Sequence, residues 1–207
     1  MGNIMLTNRK LPSDFIRRVE SLAESYLMHD DPISQSGFGG GAVRWRQERK
    51  PIIDPIDSDG DILDVGCANG YLLECLIKWG KKKGVNLIPF GVDISDKLVQ
   101  LARKRLPQYS ANFHAANAWD WIPPKKFKYV YALYDCVPED YLGEFINRLM
   151  IRMVADSGRL IVGAYGSRSK AEAPFDIEGY LMSKGFKVGG RTSGGSPPIA
   201  SFVWIDK

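Results

Sequence analysis

The sequence predicts a doubly wound α/β fold: a seven-stranded, mostly parallel, Rossmann-like sheet with helices on both faces, an antiparallel C-terminal hairpin and an N-terminal helical extension. Three observations predict it. From Asp61 onward, short apolar runs alternate with segments of helical period. A turn of small residues, Gly66-Cys67-Ala68-Asn69-Gly70, follows the first of those runs. The last two runs, 186–188 and 200–205, are joined by a Gly/Ser/Pro-rich turn with no helix between them, so they pair antiparallel at one edge.

Taken in order, residues 14–29 place Phe15, Ile16, Val19, Leu22, Ala23, Tyr26 and Leu27 at a 3.6-residue period, an amphipathic helix that runs out at Asp30-Asp31-Pro32. A loop follows in which Gly37, Gly39, Gly40 and Gly41 surround Phe38. Residues 42–50 read as a basic helix, which Pro51 kinks or ends. Residues 61–65 form a strand closed by Gly66, and 71–79 a helix stopped by Gly80. The strand at 87–92 ends at Asp93, and Ser95 caps the helix that runs on to about residue 105. Residues 111–115, 129–133 and 159–164 are further strands, with helices at 140–154 and 176–183. The chain thus divides into an N-terminal extension over 1–50 and a sheet-forming domain over 51–207.

Composition narrows the function classes. With 44% hydrophobic and 25% charged residues, a 207-residue chain can build its core without a metal or disulfide staple. Three cysteines with no CxxC pair and two histidines argue against a disulfide framework and a four-ligand zinc site, so no metal is expected. Apolar runs such as 161–165 fall far short of the ~18–20 residues of a membrane span. The opening residues lack a basic-then-apolar leader, which makes the cytoplasm the expected location. A net charge of +4 permits a nucleic-acid partner without asking for one. The Lys81-Lys82-Lys83 run reads as a solvated face complementing a helix C-terminus.

In such a sheet, ligands bind beyond the carboxyl ends of the strands. Asp64 and the turn Gly66, Cys67, Ala68, Asn69 and Gly70 allow close backbone approach to a ligand after the first strand. Asp93 and Ile94 follow the second, where a carboxylate can accept hydrogen bonds from both hydroxyls of a ribose. Asn117, Ala118 and Trp119 follow the third and suit the edge and face of an adenine. This string resembles the S-adenosylmethionine site of class I methyltransferases. Their glycine motif corresponds to Asp64, Gly66, Ala68 and Gly70, their acidic ribose ligand to Asp93, and their acidic-Ala pair to Asn117-Ala118, with Asn in place of the commoner Asp. The antiparallel last strand fits as well, and the resemblance spans roughly residues 51–207. A nicotinamide fingerprint, G-x-G-x-x-G, is broken here by Ala68 and by the spacing of Gly66 and Gly70.

The resemblance implies a methyltransferase that uses S-adenosylmethionine, with a small molecule as the methyl acceptor and no membrane partner. It puts the acceptor near Tyr134 and Asp135, where Asp135 is the candidate general base, and near Arg168, a candidate anchor for an acidic substrate. In the extension, Arg44 or Arg49 is expected to meet the methionine carboxylate and Trp45 to cover the sulfonium, beneath a lid hinged at the glycine loop. Cys67 and Cys75 read as small buried hydrophobes, and His114 as a core or edge residue. The alternatives are a protein or RNA acceptor, or a non-catalytic cofactor-binding or RNA-associated protein of the same fold.

Overall fold

The computed structural model describes residues 6–207. Helix α1 (Ser13–Leu27) and helix α2 (Gly41–Arg49) precede strand β1 (Gly60–Val65). The order then runs α3 (Tyr71–Lys83), β2 (Leu87–Asp93), α4 (Asp96–Arg105), β3 (Phe113–Ala115), β4 (Phe127–Leu133), α5 (Glu139–Arg152), β5 (Val154–Tyr165), α6 (Ile177–Ser183), β6 (Gly190–Gly194) and β7 (Ala200–Asp206). The seven strands form one sheet in the order β3-β2-β1-β4-β5-β7-β6. β3, β2, β1, β4 and β5 are parallel, and β7 runs antiparallel between β5 and β6. The strand order reverses between β1 and β4, so a crevice opens above their carboxyl ends.

Helices cover both faces, so side chains of alternating direction are all buried. Along β4, Val130 and Ala132 join the core under α5 and α6, while Tyr129 and Tyr131 join the core under α3 and α4. β5 divides in the same way, with Leu160 and Val162 on one face and Ile161 on the other.

Four elements differ from the sequence reading. α3 continues through Gly80 to Lys83 and ends at Gly84, whose φ of +82° makes the left-handed cap. Gly80 is buried where a Cβ would lie 3.0 Å from the Val85 carbonyl oxygen, so its missing side chain serves packing instead of termination. β3 is shortened to Phe113–Ala115, because Pro107–Asn112 forms a tight 3-10 turn ahead of it. The strand expected at 186–188 forms instead at Gly190–Gly194. Phe186 and Val188 anchor on the core, and the register is set by pairing with β7, where Trp204 lies over the bare backbone of Gly190. β5 begins at Val154, ahead of its apolar run.

The extension is tied down on both sides of α1. Before it, the Trp119 indole donates to the Arg9 carbonyl at 2.7 Å, and the Thr7 hydroxyl donates to the Glu144 carboxylate at 2.8 Å. After it, the Asn69 amide donates to the Pro32 carbonyl at 3.0 Å and to Gln35 Oε1 at 3.2 Å. Between these ties α1 crosses above the crevice. Lys83 caps the turn ahead of β1 by donating to the carbonyls of Ile53, Asp54 and Ile56. Among the described residues, no helix is long and apolar enough to cross a membrane.

Candidate cofactor and acceptor site

The β1–α3 turn needs left-handed backbone at three of its residues: Gly66 (φ +83°), Ala68 (φ +44°) and Gly70 (φ +74°). Gly70 also needs its missing side chain, since a Cβ there would lie 2.9 Å from the Ala102 Cβ of α4. The strained Ala68 is held by Asp93, whose carboxylate accepts from the backbone N–H of Ala68 and from that of Ser95, both at 2.9 Å. Two N–H groups of the turn, Gly66 and Cys67, donate to the Val92 carbonyl at 2.8 and 3.1 Å. The turn is therefore preorganised by β2, the strand that carries Asp93.

Two cavities meet at this turn, and Val65, Gly66 and Leu133 line both. The wider, about 210 Å³, is floored by Asp93, Ile94, Asn117 and Ala118, and Asp135 lies in its wall. Its roof is the apolar face of α1, from Phe15, Ile16 and Val19 to Tyr26. The narrower, about 70 Å³, is lined by Asp64, Cys67, Ala68, Trp45, Arg49 and Tyr165, among others.

The narrow cavity holds unpaired polar groups. Arg49 is 8% exposed, with its guanidinium carbon 4.1 Å from the Phe38 ring centre, 4.4 Å from Trp45 and 4.2 Å from Tyr165. Its Nη1 has no hydrogen-bond partner, and the Glu48 carboxylate is 3.8 Å away, beyond hydrogen-bond reach. Asp64 is 2% exposed and forms no ion pair or side-chain hydrogen bond with another described residue. Burial, with a smaller contribution from Asp93, pushes its carboxyl up to about 8. The Tyr131 and Tyr165 hydroxyls, 3.2 Å apart, are raised as well, chiefly by burial.

The structure brings Asp64, Gly66, Cys67, Ala68, Asp93, Ile94, Asn117, Ala118, Asp135, Trp45 and Arg49 around the two cavities. It corrects four of the readings. Trp119 does not face an adenine: it is 1% exposed, packs against Tyr141 and Phe145, and has Arg148 over its ring at 4.1 Å. The turn directs it there, because Asn117 Oδ1 accepts from the Trp119 N–H. The Asn69 side chain faces the extension and ties it down. Tyr134 stacks on Phe175, with ring centres 4.6 Å apart, and leaves the cavity wall to Leu133, Asp135 and Cys136. Trp45 packs at a tilt against Tyr71 and has Arg49 over its ring at 4.4 Å, so the cation on its ring is the protein's own.

Two candidates outside that set are also redirected. Arg168 does not await an acidic substrate: its Nε meets Glu48 at 3.5 Å and its Nη2 donates to the Pro197 carbonyl at 3.2 Å. Arg44 is likewise paired with Glu48, at 3.1 Å. The sequence reading expected the extension to close over the site and the first helix to dock by its apolar face, but it missed the Tyr131–Tyr165 pair. The apolar stripe of α1 was visible in the sequence, but no local signal says which surface it covers.

The fold and turn have counterparts among known proteins. A family model described as a methyltransferase domain matches residues 62–158, the segment holding β1 to β4 and the cavity floor. Over that stretch this chain is similar to a methyltransferase domain. Over 120 residues it is 30% identical to trans-aconitate 2-methyltransferase of Rhodopseudomonas palustris; the match covers 56% of this chain and 40% of that enzyme's length. Two solved structures share the fold. The 1,6-didemethyltoxoflavin-N1-methyltransferase of Burkholderia thailandensis, bound to 1,6-didemethyltoxoflavin and S-adenosylhomocysteine, aligns with a TM-score of 0.68 at 13% identity, over 97% of this chain and 92% of that one. The N-methyltransferase NodS of Bradyrhizobium japonicum, in complex with S-adenosylhomocysteine, aligns with a TM-score of 0.60 at 14% identity, over 91% and 97%. In this chain the residues matched by the family model supply the cavity floor, while Trp45 and Arg49 come from the extension before it.

Proposed function

We propose that the protein is an enzyme that moves a methyl group from S-adenosylmethionine to a small-molecule acceptor. The observation that carries this is the pair in the narrow cavity: Arg49, whose buried Nη1 has no hydrogen-bond partner, and the buried Asp64 carboxyl, which makes no ion pair or side-chain hydrogen bond with another described residue. Buried polar groups without partners are costly, so their retention fits a ligand that satisfies them. A methionine tail has a carboxylate for Arg49 and an ammonium for Asp64. Asp93 would accept from the ribose hydroxyls, and Asn117 with Ala118 would meet the adenine edge.

Bound S-adenosylmethionine supplies a methyl group that its sulfonium already makes electrophilic. What remains for the chain is to bind, align and exclude water. Phe38, Trp45 and Tyr165 hold the Arg49 guanidinium in one orientation, so its planar fork needs no reordering to receive a carboxylate. The extension, residues 1–50, acts in this reading as a lid, with α1 roofing the wide cavity. That roof also favours a small acceptor over a protein or RNA.

Calorimetric titration tests the cofactor, and methyl transfer from labelled S-adenosylmethionine to a small-molecule library tests the chemistry. Micromolar binding of S-adenosylmethionine and S-adenosylhomocysteine is expected, with none for NAD. Binding of NAD without S-adenosylmethionine would overturn the reading.

A further inference from the structure

We infer that the Tyr131–Tyr165 hydroxyl pair makes the narrow cavity select adenosyl ligands by their carboxylate: Tyr165 donates to that carboxylate beside Arg49, and Tyr131 is the positioning residue that sets the Tyr165 hydroxyl. The inference rests on the cofactor reading above and adds what decides specificity within it.

The sheet brings the two rings together. Tyr131 of β4 and Tyr165 of β5 belong to the core on the α3 and α4 face, with Ile161 and Phe202. Gly163 stands between Ile161 and Tyr165 on that face of β5. A Cβ there would lie 2.8 Å from the Tyr131 hydroxyl oxygen, so a bare backbone is what lets this hydroxyl reach Tyr165. The buried Phe202 ring of β7 packs on both tyrosines, with ring centres 6.3 Å from Tyr131 and 5.9 Å from Tyr165. The Arg49 guanidinium carbon lies 4.2 Å from the Tyr165 ring centre. Both tyrosines line the narrow cavity beside Arg49 and Asp64.

Counting protons gives the pair a spare donor. Two hydroxyls carry two protons, and the 3.2 Å bond between them uses one. Neither hydroxyl bonds to any other described residue, so the second proton has no acceptor. Tyr131 is the deeper of the two, at 2% exposed, while Tyr165 is half-buried at the end of β5 against Arg49. Tyr131 therefore donates to Tyr165, and the free O–H is the outer one, on Tyr165. Burial raises both hydroxyls, which keeps both protonated as donors at neutral pH. Accepting from Tyr131 also fixes the rotation of the Tyr165 hydroxyl and polarises its own O–H.

The cavity of about 70 Å³ thus has two donors without partners in its lining, Tyr165 O–H and the buried Arg49 Nη1. Two donors, one of them cationic, match the two oxygens of a carboxylate. An adenosyl ligand that lacks the carboxylate would leave both donors buried and unpaired, and that cost is the source of the selection.

Calorimetry with S-adenosylhomocysteine and its decarboxylated form, which differ by the carboxylate alone, tests this. The native protein should prefer S-adenosylhomocysteine by about 100-fold or more. Tyr165→Phe keeps the ring beside Arg49 and removes the hydroxyl. It should weaken S-adenosylhomocysteine about tenfold and leave the decarboxylated form within about twofold of native. Tyr131→Phe should weaken S-adenosylhomocysteine about threefold, again without moving the decarboxylated form, and it carries the test should Tyr165→Phe fail to fold. A loss shared equally by both ligands marks a merely structural role and would overturn the inference. So would a native preference below about threefold, the outcome if ordered water fills the cavity, or a full native preference in either variant. Failure of both ligands to bind the native protein would instead remove the cofactor reading on which the inference stands.

Discussion

Asp93, on the floor of the wide cavity, accepts hydrogen bonds from Ala68 and Ser95 at 2.9 Å, whereas in the narrow cavity the buried Arg49 Nη1 has no hydrogen-bond partner and the buried Asp64 carboxyl makes no side-chain hydrogen bond with another described residue. Both regions are floored by the same β1–α3 turn, yet they are built on opposite terms. In the wide cavity a functional carboxylate also holds the backbone, so binding and folding share one residue. In the narrow cavity the Arg49 guanidinium is held by aromatic rings, and its Nη1 hydrogen bond is left for a ligand to complete.

The sharpest way to break that contrast is a pair of substitutions. Asp93→Ala should lower stability by about 2–4 kcal/mol through loss of two charge-assisted bonds to backbone, and S-adenosylmethionine affinity by roughly 30- to 1000-fold. Arg49→Met keeps an apolar stem among the three rings and removes a buried guanidinium whose Nη1 has no hydrogen bond. It should weaken binding about 10- to 100-fold and leave the melting temperature at or above that of the native protein. Thermal melts beside calorimetry distinguish the two. Equal melting temperatures for both variants would erase the distinction between the cavities.

A smaller effect follows from Asp64. With its carboxyl pushed up to about 8, the group is mostly protonated at pH 7 in the free protein. An arriving ammonium favours the ionised form, so binding of S-adenosylmethionine at pH 7 should release about one proton. Affinity should rise with pH up to about 8 and then level off. The stability sign is the reverse of a salt-bridged carboxylate, because the folded value is raised. The free protein should lose stability as pH climbs from the ordinary carboxylate range towards 8, where the unfolded chain is ionised and the folded one is not. Calorimetry in buffers of different ionisation enthalpy counts the proton, and Asp64→Asn should reduce the count to zero. A proton count unchanged by Asp64→Asn would assign the release elsewhere.

The smallest effect concerns the extension. Asn69 is fully buried and ties Pro32 and Gln35 to the turn, so Asn69→Ala should cost about 1–2 kcal/mol. It should also speed proteolysis at 37–41 several-fold, with S-adenosylhomocysteine restoring protection. Cleavage at the native rate would mean that α1 is held by its other contacts alone, such as the Ala23–Leu98–Ala68 cluster.

By itself the sequence determined what local chemistry dictates. The alternation of strand and helix periods, the glycines at Gly66 and Gly70 and the carboxylate at Asp93 each answer a constraint within a few residues: a buried sheet, a left-handed turn, a strand end. The tertiary structure decided whatever depends on which distant surfaces meet. Trp119 lies beside Asn117 in sequence, but Arg9, Tyr141 and Arg148 draw it into the core. Arg49 reads as one of several basic residues on α2, and only the approach of Phe38 and Tyr165 from other segments leaves it buried and aimed into the narrow cavity. The stripe on α1 follows a helical period, but a period carries no address. The ties at Thr7, Arg9 and Asn69 supply that address by laying the helix across the carboxyl ends of β1 and β4.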